Sequence, residues 1–396
     1  MPRHFTALVM FVCLLSNAGA FGCDDFKPAE KLKAVQKEVA DADKLFRDAW
    51  AKLPDVHQED PEVEKLYQSF LKKQKAGFAT AFEIAKTSRD SDTSFLALEW
   101  LLLQFAHRDP SGIPALELMT SQHANDPRIG KAIAFVGYYL PMETDPVFKP
   151  VMDLCKAVQA RNPDRTVKGQ ATLALAWDAK NRFRLADSKG SPDTEHLAQL
   201  AEKAFETVLR DYGTCPNLRE RGARPATETL AGEVEPELFE LRRLRIGSVA
   251  PDIEGPDLAG KTFKLSDQRG KVVLLVFWAS WCSPCMAEVP HERELVDKFK
   301  NRPFVLVGVN GDEKKPEAEK AIAKHSINWR SFWNGTEGPI GSIARAWNVR
   351  GWPTVYVIDA KGIIRQKYLR GARLDGSLEK LVAETEGEGK AKPKGQ

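Results

Sequence analysis

Cysteine is scarce here, six residues in 396. One Cys-x-x-Cys spacing occurs, Cys282 to Cys285, with no second such pair and no histidine pair at ligand spacing after it. That argues against a structural zinc site, which takes four ligands. An excess of charge is missing too: 58 basic side chains face 55 acidic ones, for a net charge of +3. Such a balance leaves no electrostatic footprint for nucleic acid or acidic substrates. No stretch reaches the ~18 consecutive apolar residues of a spanning helix. No period recurs three times, as a solenoid requires. His57, His107, His123 and His196 are scattered and pair with no Asp or Glu at ligand spacing, so neither metal nor cofactor is expected.

What is present begins with Pro2-Arg3-His4, a short basic segment, then the apolar run Phe5 to Leu15 and the small residues Ala18-Gly19-Ala20. These are the three parts of a secretory signal peptide over residues 1–20. The expected protein is therefore exported, to the periplasm or cell envelope. Ala20-Phe21-Gly22-Cys23 is an imperfect lipid-attachment box, which makes Cys23 a candidate anchor. Five cysteines remain after residue 20, and an odd count in an exported chain leaves one thiol over. Cys155 shares an apolar helix face with Met152 and Val158, so a small buried hydrophobe is expected there rather than a bridge to Cys215.

Length alone suggests about two or three domains. Residues 24–245 read as an α-helical domain. Leu32, Val35, Val39, Leu45, Phe46 and Ala49 recur near the 3.6-residue period. Phe95 to Leu103 is apolar nearly all round, which predicts the buried centre of a bundle. Asp109-Pro110, Asp126-Pro127, Asp145-Pro146 and Asn162-Pro163 each offer a cap and a first-turn proline, so shorter helices follow. Thr166 to Trp177 and Glu195 to Tyr212 form a helix pair similar to a tetratricopeptide hairpin. Such a domain either docks partners or serves as scaffold.

At Ile246 the chemistry changes to strands and turns. Leu258 to Leu265 reads as a hairpin around Ala259-Gly260. Val272 to Phe277 and Phe304 to Asn310 read as buried strands, Val355 to Asp359 and Ile363 to Leu369 as a hairpin pair. Helices are expected over Pro316 to His325, Ile340 to Trp347 and Leu374 to Ala383. This order predicts a mixed sheet with helices on both faces over residues 246–383. The Gly-, Lys- and Glu-rich residues 384–396 read as a disordered tail.

The cysteine pair sits where the first buried strand gives way to a helix. A helix N-terminus carries a partial positive charge and unpaired N–H groups. Both favour a thiolate at Cys282, and thiolate is the nucleophile of disulfide exchange. Cys285, on the same turn, can close a disulfide onto it.

Residues of about 244–383 resemble the TlpA-like, redoxin-type thiol–disulfide oxidoreductases of the thioredoxin superfamily. The likeness is carried by Gly247-x-x-Ala250-Pro251-Asp252, by Phe277-Trp278-Ala279-x-Trp281-Cys282-x-Pro284-Cys285, by Pro290, and by Trp352-Pro353-Thr354. The resemblance implies a redox-active pair in which Cys282 attacks and Cys285 resolves. It implies a cis Pro353 whose flanking backbone, with Trp281 and Trp352, receives the partner chain. It also implies protein disulfide or dithiol partners and an upstream thiol–disulfide electron donor. The segment around residues 312–345 fits the family's insertion. One departure stands out: plain thioredoxins place a buried Asp beneath the resolving cysteine, and this chain has Val276. Glu288, one turn past Cys285, is the expected substitute as acid/base helper; a Glu that merely complements the helix dipole is its alternative. A peroxidase would want Pro and Thr around the attacking sulfur, where this chain has Leu275 and Ala279. A non-enzymatic interaction protein would have no use for an intact Cys-x-x-Cys.

Overall fold

The computed structural model describes residues 27–52, 60–104, 110–220 and 227–391. The segment read as a signal peptide, Cys23, His57, His107 and Asp109 lie outside these residues. By compactness the chain divides between Met119 and Thr120.

Up to that division the described residues form the helices α1 Pro28–Trp50, α2 Pro61–Thr87, α3 Ser91–Leu103 and most of α4 Ile113–Gln122. Starts are set by caps. The Asp60 side chain accepts from the N–H groups of Glu62 and Val63, and Asp90 does the same for Asp92 and Thr93. In α3, Phe95, Ala97, Leu98, Leu101 and Leu102 are buried, as its apolar run predicts, while Leu96 reaches solvent.

Beyond Thr120 come α5 Gly130–Tyr138, α6 Phe148–Arg161, α7 Arg165–Lys189, α8 Thr194–Tyr212 and α9 Leu230–Arg243. The expected pair is α7 with α8, and α7 runs on past Trp177 to a left-handed Gly190 (φ 63°) that ends it. Phe205, Val208, Leu230, Val234 and Leu241 form the core of this layer. Asn162 ends α6 as its C-cap and does not open α7: its side chain donates to Ala124 O and Asp126 O at 2.9 Å, and Asp164 caps α7. Cys155 and Cys215 are free, buried thiols. Burial pushes the Cys155 thiol up to about 12, so it behaves as a small hydrophobe.

The sheet-bearing part opens with a hairpin of β1 Glu254–Pro256 and β2 Thr262–Lys264. The strands β3 Val272–Trp278, β4 Phe304–Asn310, β5 Arg330–Trp333, β6 Thr354–Ile358 and β7 Ile364–Lys367 make a five-stranded mixed sheet in the order β5-β4-β3-β6-β7. β3, β4 and β5 are parallel; β6 runs against β3, and β7 runs against β6. Seven consecutive buried residues in β3 mark a strand covered on both faces. Val272, Leu274, Val276 and Trp278 face one core with α10 Ser283–Lys298 and α13 Ala372–Ala391. Val273, Leu275 and Phe277 face the other, with Phe263, Ala344 of α12 Ser342–Ala346, Trp347 and Tyr356. Helix α11 Lys315–His325 adds Ala321 to the first core.

Two features depart from expectation. β5 was not foreseen; it pairs with β4 inside the segment read as an insertion. And α13 continues through residues expected to be a tail, as Arg302 bonds to Glu386 and Lys361 to Glu388 along its last turns. Among the described residues no helix is long and apolar enough to cross a membrane.

Candidate active site

The central strand β3 ends at Trp278, and helix α10 starts five residues later at Ser283. Cys282 is the N-cap of α10, and its Sγ accepts from the Cys285 N–H at 3.2 Å. Pro284 stands in the first turn, where a missing N–H costs nothing. Cys282 and Cys285 are joined in a disulfide with Cα atoms 5.2 Å apart. Both cysteines are buried in this oxidised state, 4% and 3% exposed. Exposed Trp281, Ser283 and Pro284 form the surface around them.

The turn before Cys282 is clamped from β4. The Asp312 carboxylate accepts the Ser280 N–H at 3.2 and 3.1 Å and its hydroxyl at 2.6 Å. The Asn310 side chain donates to Asp312 at 2.7 Å, and Trp333 Nε1 donates to the Asp312 carbonyl at 3.1 Å. Asp312 is fully buried and both its carboxylate oxygens accept hydrogen bonds, so it holds the loop. Sequence reasoning passed over it. The signal was Asn310-Gly311-Asp312 at the end of a strand parallel to β3, which puts those residues beside the redox loop.

The Trp352–Pro353 peptide is cis. The Trp352 ring lies against Gly311, where an added Cβ would come within 2.4 Å of it. The same ring meets Phe277 at 6.2 Å and Trp281 at 5.7 Å between centroids, both edge-on, and packs on the core that includes both cysteines. Trp281, at 51% exposed, and the Trp352–Pro353 loop thus lie together at the disulfide. Beneath, Val276 faces that same core, so no strand carboxylate is available there.

Glu288 lies half-buried one turn after Cys285. Its Oε2 is 3.9 Å from His291 Nδ1, and His291 Nε2 is 2.7 Å from Asp375 on α13. A second carboxyl, not foreseen, sits one turn further on. Glu292 is 6% exposed on the buried stripe Cys285, Val289, Glu292, Leu295. Burial, and then the charge of Glu288, push its carboxyl up to about 8. Its place at i+7 from Cys285, amid apolar residues, was the available signal.

Residues 246–367 match the AhpC/TSA family model. Over 127 residues the chain is 34% identical to the thiol-disulfide oxidoreductase ResA of Geobacillus kaustophilus (strain HTA426), covering 32% of this chain and 71% of that protein. It is 33% identical over 120 residues to the thioredoxin-like protein YneN of Bacillus subtilis (strain 168), covering 30% and 68%. Among solved structures, the thioredoxin domain of a Bacteroides vulgatus thiol-disulfide oxidoreductase is 34% identical over 35% of this chain and 97% of that one, with a TM-score of 0.33. The chain belongs to the thioredoxin-like thiol–disulfide oxidoreductases of the redoxin group, with an α-helical N-terminal region ahead of the family's domain.

Proposed function

We propose that the Cys282–Cys285 pair exchanges disulfides with other proteins after export, and that residues 24–245 position or recruit while residues 246–383 carry the chemistry. The supporting observation is the disulfide closed at the N-terminus of α10, beside exposed Trp281 and the cis Pro353 loop. Export rests on the basic, apolar and small-residue segments of residues 1–20.

In the reduced protein the Cys282 thiolate, favoured by the helix end, attacks one sulfur of the partner's disulfide. The partner's other sulfur leaves as a thiolate and takes a proton. Trp281, Trp352 and the backbone around Pro353 hold the partner chain during this mixed disulfide. Cys285 then gives up its proton and attacks Cys282 Sγ, which releases the partner's second thiolate and closes Cys282–Cys285. Two electrons have passed to the partner, and an upstream dithiol returns them. Glu288 takes the Cys285 proton, since Val276 leaves the strand without an acid.

Reduction of insulin disulfides with dithiothreitol as donor tests this reading. The mature protein should accelerate insulin precipitation, and Cys282→Ser should remove the acceleration. Equal rates with and without the protein would contradict it, as would turnover of peroxide in place of insulin.

A further inference from the structure

Helix α9 places Glu233, Glu237 and Glu240 on one face, among the buried Val234, Leu238 and Leu241. Glu237 is 0% exposed. A carboxylate at that depth is strongly destabilising unless cations and hydrogen bonds surround it. They come from four segments of the chain. Lys180 of α7, itself 2% exposed, pairs with Glu237 and with Glu240 at 2.5 Å. Lys367 of β7 reaches Glu240 at 3.1 Å. Arg219, before α9, pairs with Glu233 at 3.4 Å. The other partners belong to the segment leading into the cis Pro353 loop. Asn348 donates to Glu237 and Glu240, both at 3.0 Å. Arg350 forks between Glu237 and Glu233, the latter at 3.4 Å, with its guanidinium 5.0 Å from the Trp177 ring centre.

This arrangement does more than join two layers. Apolar contacts would do that at lower desolvation cost; a buried network of paired charges tolerates few geometries. Asn348 is held in left-handed backbone (φ 44°), Trp347 and Val349 are buried in the sheet core, and Arg350 stands two residues before Trp352. The α9 carboxylates therefore grip the chain on the near side of the loop, and Gly311 supports its Trp352 ring from below.

We propose that Glu237 and Arg350 are positioning residues for the Trp352–Pro353 loop, through which α9 sets how firmly an extended protein segment binds at the disulfide. The inference rests on the proposed role of that loop in receiving a partner. It predicts a selective defect. Protein substrates, which need the loop, weaken; small disulfides, which need only Cys282, do not.

The test uses the full chain and its Arg350→Ala variant, with insulin and a small aromatic disulfide as parallel substrates. KM for insulin should rise about tenfold, less than the ~10²-fold that a 1 Å misplacement can cost. The maximal rate and the small-disulfide rate should stay within about twofold. Arg350→Lys should recover only part of the KM, since an ammonium keeps the charge but lacks the planar five-donor fork and the stacking on Trp177. If Arg350→Ala fails to fold, Glu237→Gln, of the same shape, takes its place with the same expected split. A folded variant with the wild-type KM overturns the proposal, and so does an equal loss on both substrates. A wild type that reduces the small disulfide but not insulin counts against the partner reading alone. The tether is then read from the Trp352 indole N–H resonance, which should shift in Arg350→Ala and overturns the proposal if unmoved.

Discussion

Asp312, at the end of β4, accepts both the backbone N–H and the hydroxyl of Ser280, two residues before Cys282. Two parallel strands thereby share one hinge point, and the redox turn is fixed to the sheet rather than left as a loop. Asp312→Ala strands the Ser280 N–H and the Asn310 amide without partners. It should cost about 2–4 kcal/mol in urea unfolding. Asp312→Asn keeps one acceptor and should lose about half as much. Equal stability of wild type and Ala variant would remove the clamp.

Glu292 makes stability depend on pH. Its folded value, about 8, lies above its ordinary 4.5, so the folded state holds the proton more tightly. The stabilisation is complete below pH ~4.5 and is lost as pH rises through ~8. Glu292→Gln, which cannot ionise, should abolish this slope and exceed the wild type at pH 8 by on the order of 2–4 kcal/mol. Because the charge of Glu288 is the second cause, Glu288→Gln should move the wild-type inflection to lower pH. Thermal or urea unfolding from pH 4 to 9 reads both. Parallel curves for wild type and Glu292→Gln would contradict the assignment.

Glu288→Gln tests the proton relay itself. Resolution of the mixed disulfide by Cys285 should slow by ~10²-fold at neutral pH, the low end for general acid–base help. The first attack by Cys282 should be nearly unchanged. Stopped-flow tryptophan fluorescence separates the steps, because Trp281 adjoins the disulfide. Unchanged resolution from pH 6 to 9, with at most ~1 kcal/mol of lost stability, would leave Glu288 as a partner of the helix dipole only.

Sequence patterns made some elements plain and hid others, for physical reasons. The seven-residue apolar run of β3 and the Cys-Ser-Pro-Cys at a helix start leave little choice, because a doubly covered strand and a capped helix each demand such residues. β5 is four residues, Arg330-Ser331-Phe332-Trp333, at a sheet edge with one wet end, and it has no alternation long enough to read. Glu292 and Glu237 look like solvated helix positions until their apolar neighbours at three and four residues are counted. Even then the cations that neutralise Glu237 stand at Lys180 and Arg350, 57 and 113 residues away. Only the fold brings them together.

The central claim is that Cys282 is the sulfur that meets the partner and Cys285 the one that releases it. Incubating reduced Cys285→Ser with insulin and mapping disulfide-linked peptides by mass spectrometry under non-reducing conditions tests it directly. The account predicts a stable adduct on Cys282, and none on Cys285 when Cys282→Ser is treated the same way. An adduct that forms on Cys285 in Cys282→Ser, with none on Cys282 in Cys285→Ser, would contradict it.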